Sequence, residues 1–180
     1  MGLRRAHCYR WDSPAYTRIS KNPSDSFVTG IPGIKITRFD MGDPNGEFDI
    51  RVDLISNENI QIRHNATEAA RQTCVRCLEK TLSKKGFYFK IRPYPHHIMR
   101  ENKMATGAGA DRVQSGMRDS FGKPIGKTAR VKKGQIIMSI SVLREKVDIA
   151  KEALRRANAK LPGRTHVEEV VLREAPEDAS

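Results

Sequence analysis

Two cysteines separated by two residues, Cys74 and Cys77, are the clearest candidates for chemistry in this chain. A Cys-x-x-Cys pair can supply half of a tetrahedral zinc site or act as a redox couple. The remaining ligands of a zinc ion would have to come from a scattered set: Cys8, His7, His64, His96 and His97. There is no second Cys-x-x-Cys, and an odd count of three cysteines fits reduced thiols better than a disulfide framework.

The spacing of the neighbouring apolar residues favours a packing role for this pair. Cys74 and Cys77 recur at helical spacing with Ala70, Leu78 and Leu82, and free cysteine on an apolar stripe behaves as a small buried hydrophobe. Core packing is therefore the preferred interpretation, with metal binding and redox activity as alternatives. No cofactor is expected.

A histidine pair, His96 and His97, follows Pro93-Tyr-Pro95 and could act as a general base, a metal ligand or an RNA contact. A general base needs a positioned nucleophile or water and usually an orienting carboxylate, and the sequence offers no such arrangement. P-loop, G-x-S-x-G and H-E-x-x-H motifs are also missing. We therefore expect no enzymatic activity and no small-molecule substrate.

Most of the excess charge lies between residues 84 and 133, where 13 Lys and Arg against three acids give 13 − 3 = +10 of the chain's formal +12. Such a segment predicts a polyanionic partner, nucleic acid before an anionic membrane surface. On binding phosphate these cations would release counterions, so affinity should be strongly salt-dependent. They are Lys84, Lys85, Lys90, Arg92, Arg100, Lys103, Arg112, Arg118, Lys123, Lys127, Arg130, Lys132 and Lys133.

Inside this segment, residues 101–122 predict a long mobile loop with glycine at positions 107, 109, 116 and 122. Ordering roughly 20 residues costs on the order of 20 to 40 kcal/mol of backbone entropy, which its few apolar residues cannot offset. We expect the loop to be mobile alone and ordered on a partner, with a plain flexible insertion as the alternative. Residues 104–110 carry no charge.

Residues 1–33 predict an irregular basic arm, in which cations such as Arg4, Arg5 and Arg10 alternate with aromatic residues such as Tyr9 and Trp11. Cations suit phosphates, and rings can stack on exposed bases. An arm pinned to the core by its aromatic residues is an equally weighted alternative. The arm has no apolar signal core, and no run reaches about 18 apolar residues, so a cytosolic protein without a membrane partner is expected.

Period-two patterns predict half-buried strands at Ile34–Ile36, Phe48–Leu54 and Ile60–Ile62, joined as antiparallel hairpins through turns at 42–46 and 56–59. Asn65 and Glu68 resemble a capping box. A helix is predicted from about Ala66 to Lys85, closed by Gly86 as a left-handed cap. A strand over Phe87–Ile91 should follow and end at Pro93.

After the basic loop, alternation over Ile136–Val142 predicts a strand covered mainly on one face. Apolar residues from Leu143 to Leu161 then step by four and three, which predicts a second amphipathic helix with a Glu152–Arg156 pair. A last strand is expected over 167–172. The fold class is α+β, a mostly antiparallel sheet with two amphipathic helices on one face. One domain, residues 34–172, lies between the arm and an acidic tail, 173–180.

A long central motif resembles a known protein family. It runs from Ile91 to Pro124 as IRPYPHHIMRENKMATGAGADRVQSGMRDSFGKP, and the chain also opens with MGLRR and carries Ala129-Arg-Val131 and Gly134-Gln-Ile136. These residues resemble the universal large-subunit ribosomal protein family called ten-e in archaea and eukaryotes, whose bacterial counterpart is large-subunit protein sixteen. The resemblance covers almost the whole chain, and its opening and compact size point to an archaeal member.

The resemblance implies a structural, non-catalytic protein of cytoplasmic ribosomes, docked on 23S rRNA near 5S rRNA and other large-subunit proteins. The family's glycine-rich loop reaches toward the peptidyl transferase centre and the acceptor end of tRNA, which would help shape the A-site and P-site environment. This loop maps onto Asn102, Lys103, Met104, Ala105, Thr106, Gly107, Ala108, Gly109, Ala110, Asp111 and Arg112.

Flanking residues are implied as rRNA contacts, and the remaining cations of 84–133 join them on charge alone. The implied contacts are Arg4, Arg5, Arg10, Arg92, His96, His97, Arg100, Arg118, Lys123 and Lys127. The residues added by charge are Lys84, Lys85, Lys90, Arg130, Lys132 and Lys133. Two alternatives stay open: a free RNA-binding or ribosome-assembly module that mature ribosomes do not retain, and a zinc or thiol enzyme using Cys74 and Cys77.

Overall fold

The computed structural model describes residues 4–9, 21–26, 28, 30–118 and 120–173. Within these ranges the chain forms an α+β body of two antiparallel sheets and three α-helices, which confirms the predicted class. The strands are β1 (Asp40–Gly42), β2 (Ile50–Ser56), β3 (Ile60–Arg63), β4 (Tyr88–Ile91), β5 (His97–Glu101), β6 (Lys123–Val131), β7 (Ile136–Val142) and β8 (Thr165–Val171). The helices are α1 (His64–Thr81), α2 (Ala110–Val113) and α3 (Val147–Asn158).

The larger sheet has five strands in the order β1-β4-β7-β2-β8, and the smaller sheet has three in the order β3-β6-β5. Strand β7 lies at the centre of the larger sheet, where Ile137, Met138 and Ile140 are fully buried. The serines between them are buried as well, so the prediction that β7 is covered mainly on one face is wrong. Ser139 is 3% exposed, and its hydroxyl accepts a hydrogen bond from the Nε of Arg92 at 3.1 Å.

Helices α1 and α3 pack against each other and join the two sheets. Helix α3 contacts β2 and β7 of the larger sheet, whereas α1 contacts β3 and β6 of the smaller one. Cys74 and Cys77 lie in the shared core beside Leu78 and Leu154. Burial raises the pKa of the Cys74 thiol far above its ordinary value. These positions support the packing interpretation of the cysteine pair.

The limits of α1 differ from the prediction. The helix begins at His64 with no side-chain cap, so the expected Asn65–Glu68 capping box is wrong. Glu68 accepts hydrogen bonds from Arg71 at 2.6 Å and from Gln72 at 2.9 Å instead. The helix ends at Thr81 because Leu82 adopts an extended backbone and enters the core. Gly86 is therefore not the left-handed cap that the sequence suggested.

The predicted hairpins between the first strands are also wrong. No strand covers Ile34–Ile36, although Ile36 is fully buried. Strands β2 and β3 belong to different sheets, because β2 pairs with β7 and β8 while β3 pairs with β6. The β2–β7 register shifts between Leu54 and Ile55, and the hydroxyl of Ser56 donates to the carbonyl of Glu58 at 2.7 Å. The chain thus turns out of one sheet and into the other.

The second half of the chain agrees better with the sequence analysis. Strand β8 and helix α3 are present, and Arg156 donates to Glu152 at 2.8 Å as predicted. A 3₁₀ turn, Arg144–Lys146, precedes α3 where a continuous helix was expected. Strands β5 and β6 were not predicted, and residues 174–180 of the acidic tail lie outside the described residues. Among the described residues, no helix has the length and apolar content needed to cross a membrane.

The core position of Cys74 is testable by replacement with serine. Cys74→Ser should lower the free energy of unfolding by about 1–3 kcal/mol, because a hydroxyl would replace a thiol in an apolar site. Cys8→Ser is the control, since Cys8 is exposed, and should leave the free energy unchanged. Denaturant unfolding measures both effects. Stoichiometric zinc that is lost from Cys74→Ser would contradict the packing role.

Candidate nucleic-acid interface

The glycine-rich segment forms a loop, residues 102–122, that connects β5 to β6. The strands pair up to Glu101 and Lys123, with an irregularity between Met99 and Arg100. At the base of the loop, a Cβ on Gly122 would lie 2.7 Å from the carbonyl carbon of Glu101. Any other residue at position 122 would force the backbone to move. Glycine therefore allows the two ends of the loop to lie close together.

A single glutamine connects the two sides of the loop. The side-chain oxygen of Gln114 accepts a hydrogen bond from the amide of Ala105 at 2.7 Å, and its amide group donates to the carbonyl of Lys103 at 3.0 Å. Gly109 precedes the short helix α2 with φ of 79°, in the left-handed region that favours glycine. These contacts hold the loop through neutral groups only.

The loop exposes an uncharged tip, Met104–Ala110, and several large apolar side chains. Met104 is 48% exposed, Met117 61% and Phe121 64%. The guanidinium of Arg100 lies 3.9 Å from the centroid of the Phe121 ring, a cation–π contact at the base of the loop. Exposed rings beside cations are suited to stacking on unpaired bases while the charges bind phosphate.

Six basic residues lie in the loop or on the hairpin strands next to it, and we call them the loop-base cations: Arg100, Lys103, Arg112, Arg118, Lys123 and Lys127. One acid of the same hairpin, Glu101, accepts a hydrogen bond from Arg4 at 2.5 Å. This contact holds the pKa of the Glu101 carboxyl below its ordinary value. The hairpin therefore presents a surface on which cations outnumber carboxylates.

Four predicted contacts lie on or beside the larger sheet instead. Lys84 and Lys85 are exposed in the turn after α1. Lys90 lies on β4, where its ammonium is 3.2 Å from the carboxylate of Asp40 on the neighbouring strand. Arg92 contacts Ser139, as described above. The structure therefore does not join these residues to the loop-base cations by any described contact.

Three further predicted contacts lie toward the other end of β6. This strand spans nine residues, so at about 3.4 Å per residue its ends are roughly 30 Å apart. Lys132 and Lys133 are exposed in the turn after β6, and Arg130 is half-buried within the strand. The segment 84–133 is thus distributed over separate surfaces, which sequence proximity alone did not reveal.

The two predicted histidines have different environments. His96 is exposed, with its Nδ1 3.1 Å from the carbonyl of Tyr94. His97 is only 2% exposed, and its Nδ1 lies 3.0 Å from the side-chain oxygen of Gln61. The hydroxyl of Thr128 donates to the same oxygen at 3.1 Å. His97 therefore belongs to a buried polar network rather than to the exposed cationic surface, and its role as an rRNA contact stays a prediction.

Residues 4–9, the first described part of the arm, lie against this hairpin, where Arg4 contacts Glu101. Arg63 donates to the carbonyl of Arg5 at 2.7 Å, and its guanidinium lies 4.6 Å from the centroid of the Tyr9 ring. Tyr9 thus holds this part of the arm on the body, while Arg4 and Arg5 stay exposed. Arg10 and Trp11 lie outside the described residues.

Comparison with known proteins shows which family the chain belongs to. The family model described as "Ribosomal protein L16p/L10e" matches residues 13–168. The chain belongs to this family. A protein named "Large ribosomal subunit protein uL16" from Staphylothermus marinus is 50% identical over 163 residues, 90% of each chain. Proteins of the same name from Saccharolobus islandicus strain L.S.2.15 and Saccharolobus solfataricus are 50% and 49% identical over 176 residues, 96% of each chain.

Membership of the L16p/L10e family confirms the resemblance stated from the central motif, and the relatives named above are archaeal, as predicted. The family is one of structural ribosomal proteins, which agrees with the prediction that the chain is not an enzyme. Within the described residues, no group of three His, Cys, Asp or Glu side chains is placed to hold a metal ion.

Arg63 and Gln114 contribute to the site without having been predicted. Arg63 stood outside the charged segment 84–133. In the sequence, Arg63 is simply a basic residue where a strand meets a helix. Basic residues are common at such junctions, so its position gave no specific signal. Gln114 carried no signal, because its importance comes from a hydrogen bond across nine residues of loop.

Gln114→Ala removes both hydrogen bonds that connect the sides of the loop. We expect the Ala105 amide to exchange with deuterium about fivefold faster or more, equivalent to about 1 kcal/mol, with global stability changed by less than about 0.5 kcal/mol. Hydrogen exchange with mass spectrometry measures this rate. Gln72→Ala, at an exposed position of α1, is the matched control. An Ala105 amide that already exchanges at the unprotected rate would instead support the predicted mobility of the isolated loop.

Proposed function

We propose that this protein is a structural constituent of the large ribosomal subunit, working in the cytoplasm. It binds 23S rRNA through the loop-base cations and extends the loop tip toward the acceptor end of tRNA, helping to shape the A-site and P-site environment near the peptidyl transferase centre. Family membership supports the ribosomal role. The observation that carries the finer proposal is an uncharged, exposed tip supported by a basic hairpin.

The loop-base cations are suited to structured RNA. Three of the six are arginines, whose planar guanidinium binds phosphate through two parallel hydrogen bonds. Several phosphates contacted at once release several counterions, so binding is tight at low salt and falls steeply as salt rises. These residues hold the hairpin on rRNA and fix the direction in which the loop projects.

The loop tip is suited to a different contact. Side chains between Met104 and Ala110 carry no charge, and a Cβ at Gly107 or Gly109 would meet nothing within 4 Å. Small neutral residues can enter a narrow space between RNA strands without binding the first phosphate they meet. The tip therefore reaches past the rRNA held by the loop base and touches tRNA, whose acceptor end is single-stranded.

The distant cations complete the docking. Lys132 and Lys133, roughly 30 Å along β6 from the loop base, and Lys84 and Lys85 after α1 contact further rRNA segments. A protein held at several separated points is positioned more rigidly than one held at a single patch. The vicinity of 5S rRNA and neighbouring large-subunit proteins supplies the remaining contacts.

Replacing Lys103–Asp111 with a short glycine-serine linker should leave the body folded, because its core helices and strands lie outside the loop. Ribosome function should suffer instead, since the tip is lost. The melting temperature of the purified variant and polysome profiles of cells carrying only this variant measure the two effects. Unchanged growth and polysomes would contradict a role of the tip in translation.

Removing charge at the loop base should reduce the salt dependence of rRNA binding. The triple variant Lys103→Ala, Lys123→Ala, Lys127→Ala should lower the slope of log affinity against log salt by about 3, roughly one unit for each phosphate contact. Titration of 23S rRNA fragments at several salt concentrations measures the slope. The charge-matched control is Lys80→Ala, Lys146→Ala, Lys160→Ala, all outside the proposed interface.

Two outcomes would contradict this proposal. An equal loss of slope in the control would show that binding follows net charge rather than the hairpin. Less than stoichiometric amounts of the protein in mature large subunits purified at low salt would favour the free RNA-binding or assembly module.

A further inference from the structure

The outer edge of β8, the side of this strand that faces away from β2, is the longest exposed strand edge in the described part of the chain. Strand β8 lies at one end of the larger sheet and pairs with β2 over seven residues without a shift in register. Most of its residues are exposed. Strand β1, at the other end of the sheet, spans only three residues. The described residues place no strand beside the outer edge of β8.

The register determines which backbone groups of β8 point outward. The amide of Leu172 donates to the carbonyl of Asp49 at 2.7 Å, and the amide of Asn57 donates to the carbonyl of Arg164 at 2.9 Å. In an antiparallel pair, residues bonded to the neighbouring strand alternate with residues whose N–H and C=O groups point away from it. The even-numbered residues of β8 therefore face β2. The residues that direct their backbone groups outward are Thr165, Val167, Glu169 and Val171.

Large apolar side chains are exposed along the same edge. Val167 is 39% exposed, Val171 56% and Leu172 46%. An exposed strand edge with apolar side chains is a template for pairing with another chain, and proteins often block such edges with proline, lysine or a bulge. Strand β8 contains neither proline nor lysine, and its pairing with β2 is regular. The edge is therefore open to an added strand, which would gain affinity from backbone hydrogen bonds.

The charge around β8 is opposite to that of the whole chain. Residues 165–180 contain one arginine and five acids, which gives 1 − 5 = −4 in a chain of formal charge +12. Two of these acids, Glu168 and Glu169, are exposed on the strand itself. The phosphates of RNA would be repelled here, whereas lysine and arginine side chains would be attracted. The charge thus favours a basic polypeptide over RNA as the partner of this edge.

Two other polypeptide occupants fit less well. In a second copy of the chain, antiparallel pairing of two β8 strands centred on Glu168 would place the two Glu168 carboxylates opposite each other. Like charges directly opposite in a sheet are destabilising. The chain's own tail, residues 174–180, has three acids, no cation and Pro176. It would add negative charge beside Glu169 and cannot donate from every residue.

We infer that β8 binds an extended, lysine- or arginine-rich segment of another large-subunit protein, which adds a sixth strand to the larger sheet. The carboxylate of Glu169 lies 2.7 Å from the ammonium of Lys151 on α3, so the outward residues have their side chains on the α3 face. Alternate side chains of the added strand lie beside Val167 and Val171 on that face. The inference rests on the proposed ribosomal function and assigns it a surface for a protein neighbour.

Photo-crosslinking in assembled large subunits identifies what lies at this edge. A chain with p-benzoyl-phenylalanine in place of Val171 is incorporated in cells, and the subunits are purified and irradiated. Peptide mass spectrometry should find the crosslink on a segment of another large-subunit protein that contains several lysines or arginines. An aromatic residue is well accommodated on a strand, so the label itself should not disturb β8.

Val167→Pro tests the strand pairing. It removes one outward amide, so the yield of the Val171 crosslink should fall about fivefold or more as the added strand loses a hydrogen bond and meets the proline ring. Val167→Thr is the matched control, because it keeps the amide and a branched side chain, and its yield should equal the parent's. Edge strands accept proline where the amide points away from the sheet, so both purified variants should melt close to the parent temperature.

Glu169→Arg tests the charge of the partner without changing the backbone. The ion pair that it removes is exposed and contributes little to stability, yet a basic segment would now be repelled and the crosslink yield should fall. Glu79→Arg, an equal change of charge at an exposed position of α1, is the control and should leave the yield unchanged.

Several results would overturn the inference. A Val171 label that crosslinks to rRNA, to a second copy of the chain or to residues 10–20 or 174–180 of its own chain would show a different occupant. A label that crosslinks to nothing in subunits containing the chain would show an open edge. A yield unaffected by both Val167→Pro and Glu169→Arg would exclude strand pairing with a basic segment. Absence of the chain from mature large subunits would instead contradict the proposed function itself.

Discussion

The pairing of β6 with two different strands is the constraint on which the functional half of this protein depends. On one side β6 hydrogen-bonds β5 and so closes the loop, and on the other it hydrogen-bonds β3, which continues directly into α1. Helix α1 in turn packs on α3 and the common core. A loop with little apolar surface of its own is thereby connected to a rigid body through backbone hydrogen bonds.

In the same arrangement, most charged side chains lie outside the hydrophobic core. Strands β2 and β7 of the larger sheet are almost entirely buried, and their polar side chains make contacts, as Ser139 does with Arg92 and Asp53 with Arg51. Many cations lie instead at exposed positions in turns, such as Lys84, Lys85, Lys132 and Lys133. This placement keeps most of the formal charge of +12 in contact with solvent, since an uncompensated buried charge costs several kcal/mol. Arg63, only 7% exposed, donates to the carbonyl of Arg5 instead.

Periodicity in the sequence predicted those elements whose apolar residues repeat cleanly, such as β4, β7 and α3. It failed for β5 and β6, because their inward positions include His97 and Thr128, which no hydrophobic pattern distinguishes from surface residues. It also failed after Ser56, where the chain leaves the larger sheet and enters the smaller one, a tertiary event without a local signal. The family was predictable because the central motif is long. The contacts of Arg63 with Arg5 and Tyr9 were not, since these residues meet only after folding.

The buried network of His97, Gln61 and Thr128 helps to fix the register in which β6 pairs with its neighbouring strands. His97 on β5 faces Thr128 on β6 in the pairing, and the side-chain oxygen of Gln61 on β3, which faces Arg130, lies within hydrogen-bond distance of both. A slip of β6 by one residue would replace the Thr128 hydroxyl with the Lys127 ammonium and turn every side chain of the strand to the opposite face. Only one alignment satisfies all three polar groups. The position of the loop relative to the body is therefore fixed by hydrogen bonds that lie well away from the tip.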